Sequence, residues 1–97
     1  MTSKQRAYLR GLANNIQPIF QIGKLGISEN QIQQLKDALE ARELIKISVL
    51  ETAPANAKIL GEEIANLTNS TLVQTIGSKI TLFKQKKKDS KINLPNS

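Results

Sequence analysis

Gly23 and Gly26 bracket Lys24 and Leu25 in the segment PIFQIGKLGIS (residues 18–28), and by type and spacing they are the residues best placed to meet a ligand. A glycine has no Cβ, so its backbone can approach a bound group closely. Lys24 adds a cation at the tip of the loop. The loop follows an apolar extended run and precedes a helix-start signal, where backbone N–H groups and the helix dipole favour an anion such as a phosphate. Taken alone, the same four residues describe a plain turn with a solvated lysine equally well. The patterns G-x-x-x-x-G-K-[ST] and G-x-G-x-x-G are both absent, which argues against nucleotide-driven chemistry. A G-x-x-G of this length clamps backbone nucleotides in KH domains, where it joins two helices; here a strand precedes it, so only the local chemistry transfers. Leu25 is expected to pack under the loop or to meet a sugar or base edge.

Catalytic chemistry has little to work with. The chain has no histidine and no cysteine, which removes imidazole bases, thiolate nucleophiles, disulfides and the usual zinc ligands. The carboxylate pairs Glu62-Glu63 and Glu40-Glu43 fall on helices among polar neighbours and read as solvated faces. No catalytic residue, metal site, cofactor or small-molecule substrate is expected.

The net charge of +6 is unevenly spread. Residues 1–26 carry Lys4, Arg6, Arg10 and Lys24 and no acid. Residues 27–67 carry four bases against seven acids, and residues 68–97 carry six bases against Asp89 alone. If the two basic ends meet in space they form one positive surface suited to a polyanion, most often nucleic acid. Base-stacking platforms need exposed aromatics, yet only Tyr8, Phe20 and Phe83 are present. Phe20 is expected in the core, Tyr8 beside an apolar stripe, and Phe83 alone in the open. The balance points to recognition of backbone and shape in structured RNA. Lys86, Lys87 and Lys88 would add adaptable electrostatics.

These residues need a scaffold, and the pattern supplies one. Leu9, Leu12, Ala13 and Ile16 recur at helical spacing and predict a helix over 3–15. Arg6 and Arg10 stack on one side of it and hint at an external anion; Gly11 implies close packing against another element. Pro18 starts a short strand to Ile22. Ser28 and Gln31 form a capping box, with Ile27 placed to staple against Ile32, and open a second helix to about Arg42. Residues 44–50 alternate as a strand with Ile45, Ile47 and Val49 on a buried face and Lys46 and Ser48 on an open one. Ala53-Pro54 is expected to begin a third helix to about Leu67. Residues 71–76 and 79–84 then pair as a hairpin about Gly77-Ser78. The order α-β-α-β-α-β-β, with right-handed crossovers, predicts an α/β two-layer sandwich on a four-stranded mixed sheet, plus an extra N-terminal helix. Residues 1–84 form one domain and 85–97 a basic flexible C-terminal tail. No apolar run is long enough to span a bilayer, and a cytoplasmic monomer is expected.

The stretches YLRGLANNIQPIFQIGKLGIS (8–28), ALEARELIKI (38–47), VQTIGSKITLFK (73–84) and KINLP (91–95) carry a resemblance across nearly the whole chain. In them the sequence resembles the CRM (chloroplast RNA splicing and ribosome maturation) domain in its single-domain bacterial form, the YhbY family. Asn14 and Arg42 stand where that family often has histidine, and Phe83-Lys84 where it has Tyr-Arg. The resemblance implies a fold similar to the C-terminal domain of translation initiation factor 3, and association with 23S rRNA in precursors of the large ribosomal subunit during assembly. Gly23, Lys24, Leu25 and Gly26 are accordingly expected to form an RNA-contacting loop, flanked by Lys4, Arg6 and Arg10, with Lys46, Lys79 and Lys84 as a second set. Replacing Lys24, or placing Asp at Gly26, is expected to weaken RNA binding and leave the fold intact. The rival reading is a protein-interaction adaptor that binds through its acidic helices or the Leu25 tip without direct RNA recognition.

Overall fold

The computed structural model describes residues 1–88, 90 and 92–95. Its elements are α1 (Ser3–Ala13), β1 (Phe20–Ile22), α2 (Glu29–Arg42), β2 (Leu44–Val49), α3 (Ala57–Thr68), β3 (Thr71–Ile76) and β4 (Lys79–Phe83), in the expected α-β-α-β-α-β-β order. The strands lie in the order β1-β2-β4-β3. β1 runs parallel to β2 and the other neighbours are antiparallel, so the sheet is mixed and α3 crosses over β4 to reach β3.

Local chemistry sets the helix starts. Ser28 Oγ accepts from the Gln31 N–H at 3.2 Å, and Gln31 Oε1 accepts from the Ser28 N–H at 2.8 Å, the capping box read from the sequence. Thr2 and Gln5 do the same for α1. α3 starts later than Ala53-Pro54 suggested: the Asn56 carboxamide accepts from the Ile59 N–H at 2.9 Å and serves as the cap, leaving residues 50–56 as a loop. A good capping side chain two residues beyond the proline thus outweighs the proline's own preference for a first helical turn.

The alternation of β2 divides the interior in two. Ile45, Ile47 and Val49 join Leu35, Leu39, Leu60 and Ile64 beneath α2 and α3. Gly61 permits that approach, since a Cβ on it would stand 3.0 Å from Leu72 Cδ1. The opposite face, expected to be open, is closed at one end: Leu9 and Ala13 of α1 pack on Leu44, Val73 and Phe83. Phe83 is therefore 3% exposed, and the expectation that it stands open is corrected. Helices cover both faces, α1 on one and α2 with α3 on the other.

Gly11 also departs from expectation. Nothing lies within 4 Å of where its Cβ would be, so no close packing requires it. Gly11→Ala should then stabilise the protein by roughly 0.5–1 kcal/mol through helix propensity alone, seen as a melting temperature a few degrees higher; an unchanged or lower value would show that the glycine has a structural role.

Past Phe83 the chain has no helix or strand among its described residues, yet several of them dock. Ile92 and Leu94 pack against the α1 cluster, and Gln5 Nε2 donates to the Pro95 carbonyl at 3.1 Å. Glu43, expected on a solvated helix face, is instead the buried C-cap of α2 at 1% exposure, and it accepts through Oε2 from the Lys86 N–H at 3.1 Å and from Ser90 Oγ at 2.6 Å. Among the described residues of this segment, Lys86 and Ser90 are thus bonded to a buried carboxylate, and Ile92 and Leu94 make apolar contacts.

Candidate nucleic-acid interface

Three connections meet at the end of the sheet where β1 and β2 finish: the Gly23–Gly26 loop, the 50–56 loop, and the β3–β4 turn. The Leu50 N–H donates to the Ile22 carbonyl at 2.9 Å, and the Val49 N–H donates to the Ser78 carbonyl at 2.7 Å. These bonds seat the 50–56 loop between its two neighbours. The topology explains the convergence, because strands feeding helices through right-handed crossovers present their carboxyl ends on one side.

The G-K-L-G loop is a tight turn closed by the Gly26 N–H to the Gly23 carbonyl at 3.0 Å. Gly26 has φ +72°, and a Cβ there would meet Pro54 Cγ at 3.3 Å. An L residue at this position is both strained and crowded, so Gly26→Asp would disturb the loop itself, contrary to the sequence expectation. Gly23 differs: it lacks a positive φ, and a Cβ there would make ordinary contact with Leu50 Cδ1 at 3.6 Å.

The N–H groups of Gly26, Ser28 and Gln31 are already engaged within the turn and the capping box. Side chains add to what this end offers an anion. Lys24 is exposed, and beside it an open groove is lined by Asn30, Gln31 and Gln34. These amides and the ammonium can meet phosphate and ribose oxygens. Leu25 does not pack under the loop; it is 97% exposed at its tip.

Lys79 reaches the same end from β4. Its Nζ donates to Ser48 Oγ at 3.1 Å and to Ser78 Oγ at 3.4 Å, so two hydroxyls hold the ammonium in place without neutralising it. Lys46 lies on the same face as Ser48, two residues back along β2 beside Thr81, and is half-buried. The fold therefore gathers Gly23, Lys24, Leu25, Gly26 and Lys79 at one end, with Lys46 on the adjoining face.

The other expected site residues sit elsewhere. Lys84 follows β4 at the opposite end, where its N–H donates to the Glu43 carbonyl at 2.8 Å; a six-residue strand separates the two ends by roughly 20 Å. Lys4 and Arg10 are exposed on α1. Arg6 is occupied within the fold: its Nη1 donates to the carbonyls of Leu72 and Val73 at 2.6 and 2.7 Å, where the β3 register shifts between Leu72 and Gln74 in a bulge. Each basic end of the chain is thus divided between two places: Lys24 meets Lys79 at the loop end, while α1 docks against described residues of the segment after Lys84. Tyr8 is the exposed aromatic, on α1, and Phe20 is half-buried in the core.

Sequence reasoning missed the supporting hydroxyls Ser48 and Ser78 and the exposed apolar side chains Leu50 and Ile76 at this end. Ser48 was legible as an outward neighbour of Lys46, but its bond to Lys79 spans 31 residues and needs the strand register. Among the described residues no helix is long and apolar enough to cross a membrane, and no group of three or more His, Cys, Asp or Glu could hold a metal ion.

The sequence profile of the CRS1 / YhbY (CRM) domain matches residues 1–84. The chain is 45% identical to "Probable RNA-binding protein YqeI" of Bacillus subtilis, over 98% of this chain and 99% of that protein. It is 30% identical to an RNA-binding protein of Haemophilus influenzae, over 98% and 95% of the two chains. The solution structure of SAV1595 from Staphylococcus aureus superposes with a TM-score of 0.82 at 52% identity and covers 98% of this chain and 99% of that one.

Proposed function

Because the chain belongs to the CRS1 / YhbY (CRM) domain family, we propose that it is a non-enzymatic RNA-binding protein. It docks on structured ribosomal RNA, 23S rRNA in large-subunit precursors, and assists their assembly as a cytoplasmic monomer without a cofactor. The observation that carries this reading is the convergence of Lys24, on an exposed tight turn, with Lys79, held by two hydroxyls, at one end of the sheet. Ammonium groups presented this way contact phosphates as point charges, and each contact releases a counterion from the RNA.

Phosphate contacts by Lys24, Lys79 and Lys46 give a slope of log affinity against log salt of about −2.1 to −2.7. Lys24→Ala should make that slope shallower by about 0.7–0.9, the value of one phosphate contact. Gly23→Ala should leave melting unchanged, and a loss of affinity in that variant would show RNA backbone approaching the loop. Filter binding of a 23S rRNA transcript at several salt concentrations reads all three values, and crosslinking in cells with sequencing names the RNA element. A slope near zero would overturn this reading and favour the adaptor, the alternative to which the exposed Leu25 lends support.

A further inference from the structure

Leu25 is not alone. Leu50 is 41% and Ile76 63% exposed, and the register places all three at the loop end. Leu25 caps the turn after β1. Leu50 follows β2, with its Cδ1 over Gly23. Ile76 pairs with Lys79, which pairs with Ser48. At about 4.8 Å between neighbouring strands, the row from Leu25 to Ile76 spans roughly 14 Å, and Lys24 and Lys79 stand on strands roughly 10 Å apart within it. The three apolar tips stand partly or wholly in solvent, and Lys24 and Lys79, with no ion pair among the described residues, interleave with them.

We infer that this row is a blunt rim that rests in the minor groove of an A-form RNA helix. Leu25, Leu50 and Ile76 lie on ribose carbons, while Lys24 and Lys79 take phosphates on the groove's edges. The inference rests on the RNA-binding reading above and names the RNA form that this end recognises. The A-form minor groove is wide and shallow and displays sugars, whereas its major groove is too deep and narrow for side chains to read. The B-DNA minor groove is about 6 Å wide, too narrow for a rim of three adjacent loops. Single strands call for aromatic stacking, and the exposed Tyr8 lies away on α1. A protein surface would match the apolar tips, but Lys24 and Lys79 against Glu51 alone in these three loops favour an anionic partner.

Fluorescence anisotropy with the full chain tests this against four probes: a perfectly paired RNA hairpin, the DNA hairpin of the same sequence, an unstructured single-stranded RNA, and a 23S rRNA transcript. The RNA hairpin should bind at least tenfold more tightly than the DNA hairpin or the single strand. Leu25→Ser and Ile76→Ser, at exposed positions, should melt like the parent. Leu25→Ser should weaken hairpin binding about tenfold, the effect of losing burial of part of one leucine side chain, with the salt slope unchanged. Equal binding of RNA and DNA hairpins, preference for the single strand, or parent-like affinity of Leu25→Ser would overturn the inference. Binding of the rRNA transcript without the hairpin would overturn it while leaving the RNA-binding reading in place. Failure to bind any RNA would overturn both, and loss of a protein partner by Leu25→Ser in that case would assign the rim to the adaptor.

Discussion

Glu43→Ala should lower the melting temperature by about 15 °C. Glu43 ends α2 at φ 67° and ψ −42°, a backbone conformation that an L residue adopts at a cost of roughly 1–3 kcal/mol. Its N–H still donates to the Leu39 carbonyl at 2.8 Å, its carbonyl accepts from the Lys84 N–H at 2.8 Å, and its carboxylate takes the Lys86 N–H and the Ser90 hydroxyl. One residue thus ends a helix, turns the chain into β2 and ties down the segment leaving β4. Removing a buried carboxylate that accepts these bonds costs about 3 kcal/mol, which for a domain of this size corresponds to the stated shift. Glu43→Gly should lose about 1 kcal/mol less, because glycine relieves the backbone strain while forfeiting the same hydrogen bonds. Thermal melting of the two variants separates these contributions, and hydrogen exchange at Lys86 should accelerate in both. Equal melting temperatures for Glu43→Ala and the parent would refute the anchoring role.

Arg6→Ala is the second large effect. The sequence offers Arg6 as half of an anion-binding pair with Arg10, but the guanidinium is spent on two β3 carbonyls. Hydrogen bonds with a charged partner contribute about 1.5–3 kcal/mol; Arg6 is half-buried, so water can partly replace it, and a loss of about 2 kcal/mol, or roughly 10 °C in melting, is expected. The salt slope of RNA binding should stay at the parent value. A slope shallower by about 0.7–0.9 with unchanged melting would instead mark Arg6 as a phosphate ligand. Arg10→Ala is the control, since Arg10 is exposed one turn further on and should barely move the melting temperature.

What the sequence made legible follows the range of the interactions involved. The Ser28–Gln31 capping box and the alternation of Ile45, Ile47 and Val49 are written within a few residues, and both stand in the structure as read. The element order and mixed sheet followed from them. The start of α3 was misplaced because Pro54 and Asn56 both signal a helix and only the cap's hydrogen bond decides between them. Phe83, Gly11 and Arg6 were misread for another reason: the position of α1 on the sheet determines what each touches, and no local pattern encodes it. The candidate site divides the same way. The G-K-L-G loop was visible as a motif, whereas the hydroxyls holding Lys79 and the apolar neighbours of Leu25 come from strands far apart in the chain.

The bulge in β3 has a meaning beyond α1 packing. β3 and β1 are the margins of the sheet, and an unprotected margin is a template on which a second chain can add a strand. On β3 the register breaks at Val73 and Arg6 occupies two consecutive carbonyls, while β1 is three residues long. Neither margin offers an uninterrupted row of backbone groups. A second chain adding a strand would meet a broken register on β3 and only a short run on β1, and Arg6 contributes to that protection through the two carbonyls it holds.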